Sequence, residues 1–320
     1  MASEEGTPLS KFGGPPTHRK KRPIFRALGF GFVSAASDSA SRRTSWAKQI
    51  SISEPAETRS MLERIRSGTG PRKFLRAEEL GTMLYQSSRR PKNVILGNLS
   101  LVDFVCLRPF LECVALKERV VLQEPNKRVE YINFVETGIV SLRTLATGSV
   151  LETAMVGRRG AVGASVVLGA VTSMHQSVVL VSGAALRIRV DDLHRLMHEL
   201  PRIRDHLLQY VQALMIHGSQ TALCGVRHGF EQRLACWLCL ACDALDGDVL
   251  PVTHDDLSVI LGLRRTGVTE ALNRFEEEGL VRKMRGVLQI RERGRLEKKA
   301  CGCYGIVTKG YHSAQSVAMA

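Results

Sequence analysis

The sequence predicts an α+β protein: an N-terminal β-barrel or jelly roll, then a long helix, then a C-terminal winged helix-turn-helix. Three observations carry that expectation. Short apolar runs bounded by turn residues follow one another from Val114 to Val190. From Leu200 to Thr221, side chains recur at alternating spacings of three and four. Beyond these, two short helical periods meet at Gly262 and lead into two strand-like runs around Arg285-Gly286.

The 320 residues suffice for two domains, and an apolar fraction of 44% suits a folded, soluble chain. The net charge of +14 is unevenly spread. Residues 1–92 hold 18 Lys and Arg against 8 Asp and Glu, and the other 228 residues hold 27 against 23. Basicity is thus mostly a property of the beginning of the chain, and any nucleic-acid argument must rest on pattern instead. Residues 1–75, rich in Ser, Gly, Pro and basic side chains without a period, are expected to be a disordered basic tail. Arg19-Lys20-Lys21-Arg22 ahead of Ile24 to Val33 imitates a signal peptide, but Arg26 and several glycines interrupt the apolar stretch. The preferred reading is an extension ahead of an internal start, with Met61 or Met83 as alternatives.

Leu75 to Leu84 suits a short helix, and Asn93 to Leu111 a better one, with Ile95, Leu99, Val102 and Val105 on one face. The strand-like runs are Arg119 to Leu122, Tyr131 to Val135, Ile139 to Leu145, Val150 to Val156, Ser177 to Val181 and Leu186 to Val190, with a hairpin turn at Thr147-Gly148. Short strands at this spacing predict a small barrel or jelly roll over 76–198. No run reaches about 18 apolar residues, so no membrane span is expected and the protein is placed in the cytoplasm.

A return to helix begins at Asp191, and Pro201 sits at the start of a longer one, where its missing N–H costs nothing. Leu200, Ile203, Leu207, Tyr210, Leu214, His217 and Thr221 form a coiled-coil-like seam, which predicts a dimerisation helix over 199–225 and a homodimer. Packing of that seam on the barrel is the alternative. An amphipathic stretch from Phe230 to Leu245 then carries Arg233, Leu234, Trp237 and Leu238 into a winged domain over 226–307, and 308–320 is expected to be a flexible tail.

Within the winged domain, Thr253 with Asp256 reads as a capping box, and Leu257, Ile260 and Leu261 give the first helix one apolar face. The second period starts at Arg264, with Val268, Leu272 and Phe275 inward and Arg265, Thr266, Thr269, Glu270 and Asn273 outward. Such donors and acceptors are what base edges in a DNA major groove require. The runs Leu280 to Met284 and Val287 to Ile290 make a wing whose Arg282, Lys283 and Arg285 are placed for phosphates. Double-stranded DNA is therefore the expected partner.

From about Asn93 to Val307 the chain resembles the Crp/Fnr superfamily of bacterial transcriptional regulators. The segment Phe134-Val135-Glu136-Thr137-Gly138-Ile139-Val140-Ser141-Leu142, the helix Glu231-Gln232-Arg233-Leu234-Ala235 with Trp237-Leu238, and Thr253 to Arg265 carry the likeness. Cys301-x-Cys303-Tyr304-Gly305 is similar to the tail of one branch of such regulators. The resemblance implies a cyclic-nucleotide-binding-like sensor barrel, a dimer on a near-palindromic operator, and RNA polymerase and a small-molecule effector as further candidate partners. In cyclic-nucleotide-binding relatives a loop offers a glutamate for the ribose and an arginine followed by Ser or Thr for the phosphate. Here the loop reads Gly157-Arg158-Arg159-Gly160-Ala161-Val162-Gly163, and the later position His175-Gln176-Ser177. The glutamate is missing and the arginine has no counterpart, so the candidate effector pocket of Gly157, Arg158, Arg159, Gly160, Gln176 and Ser177 is not expected to take cyclic AMP. The family's Arg-Glu-x-x-Arg in the recognition helix becomes Arg265-Thr266-Gly267-Val268-Thr269-Glu270, which implies a different operator.

Other chemistry is set aside. Cys236, Cys239 and Cys242 advance about 300° per three residues and drift round their helix. With Cys106, Cys113 and Cys224 they are expected to be reduced buried thiols, and no metal or cofactor is assigned. Cys301 and Cys303, on a flexible tail, are the candidates for redox activity. His194 and His198 share a helix face but lack a third ligand. No catalytic constellation is found, so the chain is not expected to be an enzyme. The competing reading is a ligand- or redox-sensing module whose winged helix contacts protein.

Overall fold

A computed structural model describes residues 91–146 and 149–316, all within the second of two compact units, Ala77–Ala320. The expected tail, the helix at Leu75 to Leu84, Met61, Met83 and the Thr147-Gly148 turn lie outside the described residues. The helix expected over Asn93 to Leu111 is two, α1 (Val94–Gly97) and α2 (Leu101–Leu107), followed by a 3-10 turn, Arg108–Phe110. Two side-chain caps explain the break. Asn93 accepts from the backbone N–H groups of Ile95 and Leu96, and Ser100 accepts from that of Asp103. Asn93 is fully buried and donates to the carbonyls of Val135 and Gly160, both at 2.8 Å, which fastens α1 to the barrel.

The barrel is an antiparallel sheet of β1 (Glu112–Leu116), β2 (Val121–Gln123), β3 (Tyr131–Ala146), β4 (Ser149–Val156), β5 (Ala161–Val162) and β6 (Gln176–Arg189). The paired runs at 131–135 and 139–145 are one strand, as are those at 177–181 and 186–190, and these two long strands form the spine. At one end β6 and β3 are flanked by β1 and β5; at the other they are flanked by β2 and β4. The register shifts between these halves, around Gly138 and Gly183. A Cβ on Gly183 would stand 2.0 Å from the Thr137 carbonyl oxygen, and Gly138 has φ +89°, so the crossing admits only glycine. Leu116, Val135, Val140, Val156, Val162 and Val179 make the barrel's inner core.

Next come α3 (Val190–Glu199) and α4 (Pro201–Arg227). Here the structure corrects the dimer seam. Ile203, Leu207 and Tyr210 are buried in a core with Ile132, Phe134 and Ile188 of the barrel, and Leu200 and Leu214 pack against it. Tyr210 donates to the Ala161 carbonyl at 2.9 Å. His217 is buried, and burial pushes its imidazole down to about 4, so it meets the Tyr311 hydroxyl at 3.1 Å in the neutral form. The apolar stripe that looked like a seam thus covers the chain's own barrel and C-terminal helix. The tail boundary is corrected as well. Residues 308–316 continue α9 (Cys303–Ser316), which lies along α4 with Val307 buried.

The winged unit comprises α5 (Phe230–Leu245), β7 (Val249–Leu250), α6 (His254–Leu261), α7 (Arg265–Glu277), β8 (Val281–Met284), β9 (Val287–Ile290) and α8 (Arg293–Lys299). Its core of Leu234, Leu238, Leu257, Val268, Leu272 and Phe275 is continuous with Ile139, Met155, Leu180 and Val181 of the barrel. One polar cluster is buried in that contact. Glu152 on β4 accepts from Trp237 Nε1 at 2.7 Å and from the Ser141 hydroxyl, and burial raises its carboxyl to about 7.

Candidate nucleic-acid interface

The helix-turn-helix is built by local rules. Thr253 and Asp256 exchange hydrogen bonds in the expected capping box at the start of α6. At its end Gly262 adopts φ +62°, and the Leu263 N–H donates to the Ser258 carbonyl at 2.9 Å, which closes a Schellman turn. Arg233, reaching from α5, donates to the Leu261 carbonyl at 2.6 Å and satisfies another orphan acceptor. Val268, Ala271, Leu272 and Phe275 are fully buried, so the opposite face of α7 is turned outward.

On that face Arg264, Arg265, Thr266, Glu270 and Asn273 are all exposed. Arg265 pairs with Asp255 of α6 at 2.7 Å, with both side chains well exposed. Such a surface pair contributes little and leaves the guanidinium free to exchange partners. Thr269 differs from the expectation of an open base reader. It is half-buried, donates to the Arg265 carbonyl at 3.0 Å and stands 2.9 Å from His254 Nδ1. It therefore bridges α6 to α7. Partial burial, then the Lys283 and Arg265 cations, depress the His254 imidazole.

The wing is the β8–β9 hairpin, turned at Gly286 with φ +72°. Arg282 and Arg285 are exposed on it. Lys283 is not. Its ammonium pairs with Glu276 at 2.8 Å and with Asn273, and its N–H donates to Glu276 at 2.8 Å. Those hydrogen bonds hold the Glu276 carboxyl below its ordinary value. Lys283 thus fixes the wing to α7, and it also occupies Asn273.

Five of the six residues of the expected effector pocket fall into two groups with different neighbours. Gly157 packs against Ala244, Arg158 pairs with Asp246 at 2.9 Å, and Gly160 abuts Tyr210, so this group joins the barrel to α5 and α4. Gln176 bonds Glu124 at 3.1 Å, and Ser177 bonds Gln123 at 3.3 Å, at the β2 edge. Gly157 leaves no room for a Cβ beside Ala244, and Arg158 is engaged by Asp246, so both serve the contact with α5.

Sequence reasoning missed two groups. The Ser141–Glu152–Trp237 cluster lies among apolar strand residues, and a glutamate in a strand reads as solvent-facing until its neighbour is known. Cys224, His228, Cys301 and Cys303 converge within 4.8 Å of one another. The spacings Cys-x-x-x-His and Cys-x-Cys are present in the sequence, but a flexible tail would leave Cys301 and Cys303 unplaced, whereas both are buried.

Residues 232–299 match the family model described as a Crp-like helix-turn-helix domain. Among solved structures, FixK2 from Bradyrhizobium japonicum is similar over 60% of this chain and 98% of its own length, at 16% identity and a TM-score of 0.53. A protein from Eubacterium rectale assigned to the crp/fnr family of transcriptional regulators is similar over 64% of this chain and 96% of its own, at 15% identity and a TM-score of 0.51. No curated protein matches the sequence. At these identities the likeness is one of fold: sensor-like barrel, long helix, winged helix-turn-helix.

Proposed function

We infer that this chain, a DNA-binding transcriptional regulator of the Crp/Fnr type by its helix-turn-helix domain and its fold, acts as a homodimer on a near-palindromic operator. The observation that carries this reading is the outward face of α7, where Arg264, Arg265, Thr266 and Glu270 stand exposed on a helix fully packed behind. Arg265 is the guanine reader and Glu270 the acceptor for a cytosine amino group. Arg282 and Arg285 on the wing meet phosphates, and Lys283 holds the wing in place.

The dimer surface is a second stripe of α4. Leu208, Met215 and Ala222 recur every seven residues, as do Gln212, Ser219 and Val226, and the two series interleave at spacings of four and three. Met215 is 65% and Val226 82% exposed, and although Leu208 packs partly on the chain's own core, the rest of the stripe is open to a second copy. Two-fold pairing there places two recognition helices on successive half-sites.

The barrel works without cyclic AMP. After Gly163 the chain makes a 3-10 turn, Ala164–Leu168, whose Ala164, Val166 and Val167 are buried and which carries no carboxylate. The described helices include none long and apolar enough to cross a membrane, which agrees with a cytoplasmic site of action.

Recovery of genomic fragments by the purified protein tests the reading. A palindromic motif is expected, and Arg265→Ala should flatten one position of each half-site at a cost of about 1–3 kcal/mol. If Arg265→Ala leaves affinity and motif intact, α7 does not lie in the groove.

A further inference from the structure

The cysteine–histidine cluster lies at the joint between the long helix and the winged unit. Cys224 is in the last turn of α4, and His228, four residues on, is that helix's C-cap. Phe230, two residues later, opens α5. Cys301 precedes α9 and Cys303 is its first residue. Cys224 Sγ and Cys301 Sγ are 3.3 Å apart, and Cys303 Sγ is 3.5 Å from His228 Nδ1. All three thiols are buried and the imidazole is half-buried.

These two contacts are close to what one tetrahedral ion needs, and all four ligand atoms lie within 4.8 Å of one another. With zinc–sulfur bonds of about 2.3 Å and zinc–nitrogen bonds of about 2.0–2.1 Å, ligand atoms stand about 3.5–3.8 Å from each other. The donor set also discriminates: thiolates with an imidazole suit zinc and disfavour the oxygen-seeking magnesium and calcium. Buried thiols otherwise pack as small apolar groups, which accounts for Cys239 and Cys242. It does not account for an imidazole nitrogen turned toward a thiol in a set drawn from two chain segments more than 70 residues apart. We propose that Cys224, His228, Cys301 and Cys303 form a Cys3His site for a tetrahedral divalent cation, zinc foremost, which locks α9 to the end of α4.

On loading, each cysteine gives its thiol proton to solvent, so three thiolates and a neutral imidazole hold the ion with a net charge of −1. Cys236 packs against the same cluster and lies outside the four-atom set. Because the ligands stand where the chain enters the winged unit, at His228, and where it leaves it, at Cys301, occupancy fixes the direction in which that unit leaves the long helix. That consequence rests on the DNA-binding reading above; the metal site itself does not.

The test uses the full chain without an affinity tag that binds metal, purified under reducing conditions. Elemental analysis should find one zinc per chain. After chelation and titration with cobalt(II), intense tetrahedral d–d and thiolate charge-transfer absorption should appear. Cys303→Ser and Cys301→Ser should lower zinc affinity by at least about 100-fold, a loss that outer-shell changes alone can reach. Cys113→Ser, an exposed thiol on β1, should leave it unchanged. The cobalt spectrum of the unsubstituted chain decides the matter even if a variant fails to fold. A weak octahedral spectrum with no zinc, an iron–sulfur chromophore in anaerobically purified protein, or a Cys224–Cys301 disulfide in metal-free chain would each overturn the assignment.

Discussion

Glu152→Gln should remove a pH dependence that the wild-type chain carries at the contact between barrel and winged unit. The Glu152 carboxyl is buried, and burial lifts it to about 7 against an ordinary 4.5, while hydrogen bonds from Ser141 and Trp237 and the Arg143 cation pull the other way. Between those two values the folded chain keeps the proton and the unfolded chain has lost it. Stability therefore falls as pH rises from 4.5 to 7, and this group adds no further change above or below that window. A difference of about 2.5 units at 1.36 kcal/mol each gives a loss of at most about 3 kcal/mol. Glutamine keeps the geometry: its carbonyl accepts from Trp237 Nε1, and its amide donates to the Ser141 hydroxyl, which already accepts from Arg143 at 3.1 Å. The assay is urea unfolding of both proteins at pH 5 and pH 8, followed by circular dichroism. The two should have similar midpoints at pH 5, and the variant should be the more resistant at pH 8 with unchanged slope. Other titrating groups, His217 among them, are common to both proteins and cancel in the difference. Parallel pH profiles would refute the reasoning, because the carboxyl would then ionise in the folded chain at no cost.

Two further predictions separate roles that the sequence merged. Met215→Glu with Val226→Glu should give a folded monomer by sedimentation, whereas Leu207→Glu should unfold the barrel–helix core, because Leu207 is buried and the other two are open. Arg282→Ala should weaken binding to all DNA sequences and make the salt dependence shallower by about one unit, as the proposed phosphate contact requires. Lys283→Ala should instead loosen the wing, seen as faster amide exchange over Val281–Met284 in the free protein, because its partners are Glu276 and Asn273.

The reach of the sequence is set by which forces are local. The α6 capping box, the Gly262 turn, and the alternation of buried and exposed positions in α7 are decided within a few residues, and each stands where the pattern placed it. The runs within β2, β3, β4 and β6 are legible too, but not β1 or β5, nor the fusion of runs into β3 and β6, because Gly138 and Gly183 read as strand ends when they are the points at which two continuous strands cross. Helix α4 marks the limit most clearly. Its three-four period is real, yet the helix carries two such stripes about 150° apart. The more apolar one is buried by the barrel; the other, diluted by Gln212 and Ser219, is largely exposed. Periodicity tells that a face is covered and never by what. The same argument applies to Cys224 and Cys301, 77 positions apart in the chain and 3.3 Å apart in space. Only the docking of α9 along α4 brings them together, and that docking is driven by Val307 and Tyr311, residues whose spacing alone reads as an unremarkable helix end.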